Sequence, residues 1–348
     1  MTRHLNLHLT EDQRMLRDAA ERYLAARHPV ALARAASRQT VAARLALWRE
    51  LADQGWPALL APETRGGLAL GMREAWIVAE AAGRHLLSLP LAANMAVLPT
   101  LCEAAGPAAQ WAGAMMTGET WYADAAMRPD GSAFIEGAGD GVRALAVRRT
   151  GATALRLELL APVAGMAGLD PTMPVALAAN PAVVASAELE VAPGTWSLLR
   201  TRMRLLRSAE ILGAASAALD MAAAYARERR QFDRAIGANQ AIKHRLAEDW
   251  MALDDARLAG WAAAAALDAG AESAPRDCLF APLLAVEGGR RAAQNAIQTH
   301  GALGVTWECD AHLYLKRVLR LSASLEAEVS RPDLLERIWE EAGEGQAA

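Results

Sequence analysis

The sequence predicts a mainly α chain in which a small β domain sits between two helical parts. Two patterns carry that expectation. Leu205, Ala209, Leu212, Ala215, Leu219 and Ala222 step by 4, 3, 3, 4 and 3 residues, which lays one apolar stripe along a long helix. Leu155-Arg156-Leu157-Glu158-Leu159 instead alternates apolar and charged residues, the two-residue period of a half-buried strand.

The elements follow in order. Thr10 and Gln13 form a capping box, in which a hydroxyl and an amide answer free backbone groups at a helix start. A helix over Gln13 to Ala26 breaks at His28-Pro29, and a second covers Thr40 to Gln54 until Gly55-Trp56-Pro57 stops it. Met72 to His85 and Pro107 to Met116 read as further helices, with the apolar run Leu86 to Cys102 as a buried helix and loop between them. From about Thr120 the texture changes. Val142 to Val147, Leu155 to Leu159, Val175 to Leu177 and Val183 to Val191 are β-prone runs between Gly, Pro and Asn breaks. After the striped helix, a second helix starts near Gln240 and carries Ile242, Leu246, Trp250 and Leu253. A third covers Leu283 to Gln298 and a fourth Trp307 to Leu321. The expected division is an N-terminal helical domain at 1–118, a middle β domain at 119–195 and a C-terminal four-helix domain at 196–348.

Composition excludes several classes of function. The 348 residues are 53% hydrophobic and 22% charged, which rules out disorder and collagen-like repeats. A formal charge of −4 and a pI near 6 give no net basic face for nucleic acid. Cys102, Cys278 and Cys309 are too few and too far apart for a disulfide framework, which fits a reducing cytoplasm. The opening residues Met1 to Asn6 lack the apolar core of a signal peptide. Leu86 to Cys102 is interrupted by Ser88, Pro90, Asn94 and Pro99, so no membrane span is expected.

Three places could carry chemistry. His300, Glu308, Cys309 and His312 lie close together but at no recognised metal-ligand spacing, and a helix end with mixed polar groups is the expectation. Gly137-Ala138-Gly139-Asp140-Gly141 follows no strong strand and opens no helix, so it reads as a hairpin tip rather than a phosphate loop. Neither a Walker loop nor a Gly-x-Ser-x-Gly elbow is present. Arg227, Arg229, Arg230 and Arg234 crowd the end of the long helix. Read alone, they are either a solvated face that complements the helix dipole or an anion-capturing set of planar forks.

A family resemblance bears on that choice. Tyr225-Ala226-Arg227-Glu228-Arg229-Arg230-Gln231-Phe232-Asp233-Arg234-Ala235-Ile236-Gly237, continuing through Gln240-Ala241 to Leu246-Ala247, resembles the acyl-CoA dehydrogenase pattern "YA-x-x-R-x-QFG-x-x-I-x-x-x-QA-x-x-x-x-LA". Gln298-Thr299-His300-Gly301-Ala302-Leu303-Gly304-Val305-Thr306-Trp307-Glu308 resembles the same family's "Q-x-x-GG-x-G-x-T-x-E". Leu9-Thr10-Glu11-Asp12-Gln13 and Gly55-Trp56-Pro57 to Gly71 are similar to its opening helices. The resemblance spans nearly the whole chain in the family's order.

It implies FAD as cofactor and an acyl-CoA thioester as substrate, with an electron-transfer flavoprotein accepting the electrons. Arg229 and Phe232 match residues that contact FAD across a subunit interface, the arginine at the pyrophosphate. Gln240 matches a glutamine on the adenosine side, and Gln298, Gly301 and Gly304 match a loop that wraps the neighbouring subunit's nucleotide. Arg204 matches an arginine that reaches the CoA moiety. A site shared in this way implies a homodimer, a tetramer or a heteromer.

The match breaks where the base should be. The family abstracts the α-proton with a carboxylate at one of two positions. One precedes the arginine matching Arg204 and here is Met203, which takes no proton. The other lies in a Glu-Gly-Thr stretch. Counting from Leu315 reaches Glu326, whose surroundings Ser324-Leu325-Glu326-Ala327-Glu328 depart from that motif. Glu326 is either a base or the solvated acid at the start of a final helix. Glu210, two helical turns or roughly 10 Å beyond Met203 on the same face, suits a buried structural role better. The family's Thr-Glu-Pro-x-x-Gly-Ser-Asp loop is also missing around Tyr122 to Pro129. Thr201-Arg202-Met203-Arg204 and Thr306-Trp307-Glu308 are similar to base-lacking subunits of heteromeric acyl-CoA dehydrogenases that shorten steroid side chains. The leading expectation is therefore FAD-dependent α,β-dehydrogenation of an acyl-CoA in lipid or steroid catabolism. The alternatives are a non-catalytic subunit that completes a partner's flavin site, and a flavin oxidase or monooxygenase of the same fold.

Overall fold

The structure is a computed structural model that describes residues 8–166 and 168–344; the polar opening stretch Met1 to Asn6 lies outside them. The chain begins with six helices: α1 (Glu11–Arg27), α2 (Val30–Arg34), α3 (Val41–Asp53), α4 (Met72–Arg84), α5 (Leu91–Glu103) and α6 (Pro107–Met116). Six strands follow: β1 (Ala123–Met127), β2 (Ala133–Glu136), β3 (Ala144–Arg149), β4 (Ala154–Leu160), β5 (Val175–Ala178) and β6 (Val183–Glu190). Helix α7 (Thr195–Glu228) leads into a short hairpin of β7 (Arg230–Gln231) and β8 (Arg234–Ala235). Then come α8 (Gln240–Asp268), α9 (Ala274–His300), α10 (Ala311–Glu328) and α11 (Arg331–Glu344). Four helices after the sheet match the expected set, and α11 is a fifth. Among the described residues no helix is long and apolar enough to cross a membrane.

The residues form two compact units. Among the described residues, one unit holds those up to Ala26, Trp76–Leu86 and those from Arg204; the other holds those of Arg27–Ala75 and Leu87–Met203.

The second unit contains the six-stranded sheet, in the order β5-β2-β1-β3-β4-β6. Every neighbouring pair is antiparallel except β1 with β3. The alternation in β4 holds for Leu155, Leu157 and Leu159, which are buried. Glu158 is buried too, because Arg156 accompanies it at 2.8 Å. The glycine-rich run at 137–141 is not a hairpin tip. It carries the chain from β2 to β3, which lie on opposite sides of β1, and its first three residues are buried.

Helix α5 is almost wholly buried, as the apolar run suggested, and continues through Pro99. Its Asn94 donates to the carbonyls of Pro90 and Tyr122, both at 2.8 Å, and accepts from the Tyr122 N–H. Arg44 of α3 is buried among backbone carbonyls. Its guanidinium donates to the carbonyls of Ala138 (2.9 Å), Ser88 (3.2 Å) and Gly137 (3.3 Å) and lies 5.0 Å from the Trp121 ring centre. Burial lowers its pKa to about 10.

The first unit is helical. The capping box forms: the Thr10 N–H donates to Gln13 Oε1 at 3.0 Å and the Gln13 N–H to Thr10 Oγ1 at 3.2 Å. All six residues of the α7 stripe are buried. Helices α4 and α7 approach so closely that a Cβ at Gly83 would overlap the Glu210 carbonyl and one at Gly213 the Glu80 carbonyl. Arg257 fixes the same crossing by donating to Glu80 at 3.0 Å and to Ser216 at 3.2 Å. Arg317 of α10 is fully buried and donates to the Leu86 carbonyl at 3.3 Å.

Sequence patterning misplaced some helix limits here. Helix α9 begins at Ala274 rather than Leu283, running through Pro282, and α10 covers Ala311–Glu328 rather than Trp307 to Leu321. Of the expected α8 stripe only Leu253 is buried; Trp250 is 59% exposed. Leu279, Leu334 and Ile338, with Leu283 and Val329 against them, form a small core that seats α11 on α9.

Candidate functional site

Where α7 ends, the chain turns through the β7–β8 hairpin, with Arg230 opposite Ala235 and Gln231 opposite Arg234. Its two central residues, Phe232 and Asp233, have φ of 51° and 65°. Positive φ at both positions matches the twist of a two-residue hairpin. The Phe232 ring is 96% exposed. Two of the four arginines are used locally: Arg230 donates to the Asp233 carbonyl at 3.2 Å and Arg234 to Asn239 Oδ1 at 2.6 Å. Arg229 differs. Its backbone is held, the N–H on the Tyr225 carbonyl and the carbonyl on the Ile236 N–H, both at 2.8 Å. Its guanidinium is exposed. Gln240 is the first, exposed residue of α8.

The second motif closes α9. Gln298 is exposed in the last turn, and Gly301 ends the helix at φ 63°, ψ −142°, a conformation reserved for glycine. Open space surrounds the point where its Cβ would be. Gly304 is buried, and a Cβ there would come within 2.8 Å of the Ile297 carbonyl. The motifs touch through their aromatic residues: the His300 ring stacks on Tyr225 with centres 4.6 Å apart, and its Nδ1 lies 2.8 Å from the Ala296 carbonyl oxygen. Arg229 and Phe232 therefore share one end of the helical unit with the Gln298–Gly304 turn. Of the residues weighed as metal ligands, His300 is spent on this stack and His312 packs edge-on against Trp307 at 4.9 Å. Among the described residues no three His, Cys, Asp or Glu side chains converge as a metal site.

Arg204 and Glu326 come together elsewhere in the same unit. Both line a half-open pocket whose walls include Leu283, Val286, Leu325 and Leu334. Glu326 lies in the last turn of α10, not at the start of a final helix. Arg290 of α9 grips it bidentately, Nη1 to Oε1 at 2.7 Å and Nη2 to Oε2 at 2.5 Å. Glu328 pairs with Arg207 at 3.1 Å, and Glu287, also on the pocket, pairs with Arg331. Cys278 is buried, and burial, with Asp277 adding, pushes its thiol up to about 12 while Arg204 pulls the other way. Met203 and Glu210 are buried. Sequence reasoning missed Arg290, Glu287 and Arg331, because nothing local links an arginine on one helix to a glutamate 36 positions later. The stretch Tyr122 to Pro129, where the family loop was sought, forms the interior strand β1.

A helical chain with a central sheet and two such motifs is the architecture of a flavoprotein dehydrogenase fold. Residues 10–119 match the sequence model of the acyl-CoA dehydrogenase N-terminal domain, and residues 199–324 that of its C-terminal domain. The chain is 33% identical over 335 residues to "Acyl-CoA dehydrogenase IpdE2" of Mycobacterium tuberculosis, covering 95% of this chain and 98% of that protein. It is 30% identical over 304 residues to "Acyl-CoA dehydrogenase FadE27" of the same organism, covering 77% and 81%. In fold it is similar to a chain of the ChsE4-ChsE5 complex from Mycobacterium tuberculosis, with TM-score 0.76, 24% identity and coverage of 97% and 99%. It is likewise similar to PigA with FAD and proline, with TM-score 0.78, 18% identity and coverage of 94% and 99%. The chain belongs to the acyl-CoA dehydrogenase family, a family of flavoprotein oxidoreductases.

Proposed function

We propose that this chain is an FAD-binding subunit of a cytoplasmic acyl-CoA dehydrogenase that introduces an α,β double bond into an acyl-CoA and passes the electrons to an electron-transfer flavoprotein. One observation carries the reading: the exposed Arg229 guanidinium and Phe232 ring stand on a strained hairpin beside the open Gln298–Gly304 turn, within the two motifs of the family. The donor set fits the cofactor. Arg229 would hold the pyrophosphate with a charge-assisted fork. Gly301, with open space where its Cβ would be, would admit close backbone approach, Gly304 would let the turn close against Ile297, Gln298 and Gln240 would hydrogen-bond the nucleotide, and Phe232 would cover it from a neighbouring subunit. Bound flavin would supply the hydride acceptor. The protein's own part is to seat the CoA at Arg204, shield the thioester in the apolar pocket and take the α-proton at Glu326. The domain division at 118 and 195 goes with this reading.

A second reading has its own support. Met203 fills one base position and Arg290 engages both oxygens at the other, the arrangement of a subunit that completes a partner's flavin site without turning over alone. Anaerobic titration of the purified chain with a series of acyl-CoAs, followed by flavin absorbance, separates the two. Bleaching supports the first. A yellow protein that never bleaches supports the second, and a colourless one places the cofactor's retention on a partner. In either case Arg229→Ala is expected to lose flavin on gel filtration; full FAD occupancy in that variant overturns the assignment.

A further inference from the structure

We propose that Arg290 is the positioning residue of the Glu326 carboxylate, an inference that rests on the reading of Glu326 as the base. Glu326 is 36% exposed, lies in the last turn of α10 and fronts the pocket that Arg204 also lines. A glutamate in such a place samples many rotamers. The planar fork from α9 removes that freedom by holding both oxygens at 2.7 and 2.5 Å, which fixes the plane of the carboxylate as well as its position. The pair at Glu328 is different: its acid is 11% exposed against Arg207 at 7%, so it is sealed inside the helix packing.

Two effects of Arg290 oppose each other, and their sizes decide between them. Arg290 occupies the oxygens that the α-proton must reach, but an ion pair about one-third exposed contributes no more than about fivefold in equilibrium terms. Loss of placement is larger, since a misplacement of roughly 1 Å costs on the order of a hundredfold in rate. Positioning therefore outweighs quenching. In the step concerned, one Glu326 oxygen takes the proton as the α-carbon C–H bond breaks, and the electron pair stays with the thioester as its enolate. In D2O the reverse step returns a deuteron.

Deuterium exchange at the α-carbon reads this step. The purified full chain, with any subunit that co-purifies, is incubated in D2O with acyl-CoAs from butyryl-CoA to palmitoyl-CoA, and exchange is followed by mass spectrometry. Glu326→Gln is expected to abolish exchange. Arg290→Met is expected to slow it about a hundredfold at saturation, with the half-saturating concentration changed by less than about threefold. Arg290→Lys, a cation without the fork, is expected to recover about tenfold of that loss. Exchange by Arg290→Met within about threefold of the parent chain overturns the positioning role and leaves the base reading intact. If Arg290→Met does not fold, Arg290→Lys at the parent rate overturns it equally. Exchange that persists in Glu326→Gln, or that the parent chain never shows, overturns the base reading and this inference with it.

Discussion

Phe232 is held where asparagine or glycine is the ordinary occupant. Its φ of 51° costs an L-residue with a bulky side chain roughly 1–2 kcal/mol, and its exposed ring recovers nothing within the chain. Replacing it with Asn should relieve that strain and raise the melting temperature by about 2–4 °C, while weakening retention of flavin. Calorimetry beside flavin absorbance checks both; a lower melting temperature would mean that the ring is packed in the free chain. Residues of this kind were legible in advance because each motif is local: thirteen consecutive positions bring Arg229 and Phe232 to one turn. Arg290 was not legible. Its partner is brought to it by the packing of α9 on α10, and an arginine after Gly288-Gly289 reads as any solvated helix residue until that packing is known.

Among the elements, the crossing of α4 and α7 depends on missing side chains. At Gly213 an added Cβ would run into backbone, the Glu80 carbonyl, which cannot swing aside as a flexible side chain can. Gly213→Ala is expected to destabilise the chain by about 2–3 kcal/mol, near the upper end for overpacking. Urea denaturation checks this, and a midpoint unchanged from the parent would mean that the helices separate freely. The α7 stripe was visible in the sequence because a period near 3.6 persists over five turns and all six residues are buried. Strands β1 and β2 were not, since Ala-Asp-Ala-Ala-Met and Ala-Phe-Ile-Glu hold few β-branched residues. Their extended form comes from neighbours, β1 pairing with β2 and β3, and β2 with β1 and β5. The reading of 137–141 as a hairpin tip failed for the same reason: with neither β1 nor β2 legible, nothing local showed that the run crosses from one side of β1 to the other. Trp250 shows the converse, a helical period that marks a face of α8 which the chain itself leaves open.

For the molecule as a whole, two buried phenols set an alkaline limit. Burial pushes Tyr122 and Tyr314 up to about 12 from an ordinary value of 10.0. The folded chain keeps these protons over the range in which the unfolded chain releases them. Their contribution is therefore whole below pH 10 and is lost as pH rises toward 12, by up to about 1.4 kcal/mol per unit for each group. Tyr314→Phe should flatten the fall in urea midpoint over that range, and parallel curves for variant and parent would refute the linkage. The division into units has a different consequence, which belongs to synthesis. The helical unit takes α1 and most of α4 from the first part of the chain but cannot be completed until the residues after Arg204 exist. At ribosomal speeds of about 5–20 residues per second, Trp76 and its apolar neighbours wait for some tens of seconds, or a little less, before α7 and α8 emerge to cover them. The interrupted sheet-bearing unit, which ends at Met203, can close in the meantime. Translation thus imposes an order of assembly in which the nascent chain carries an uncovered apolar segment until α7 and α8 emerge.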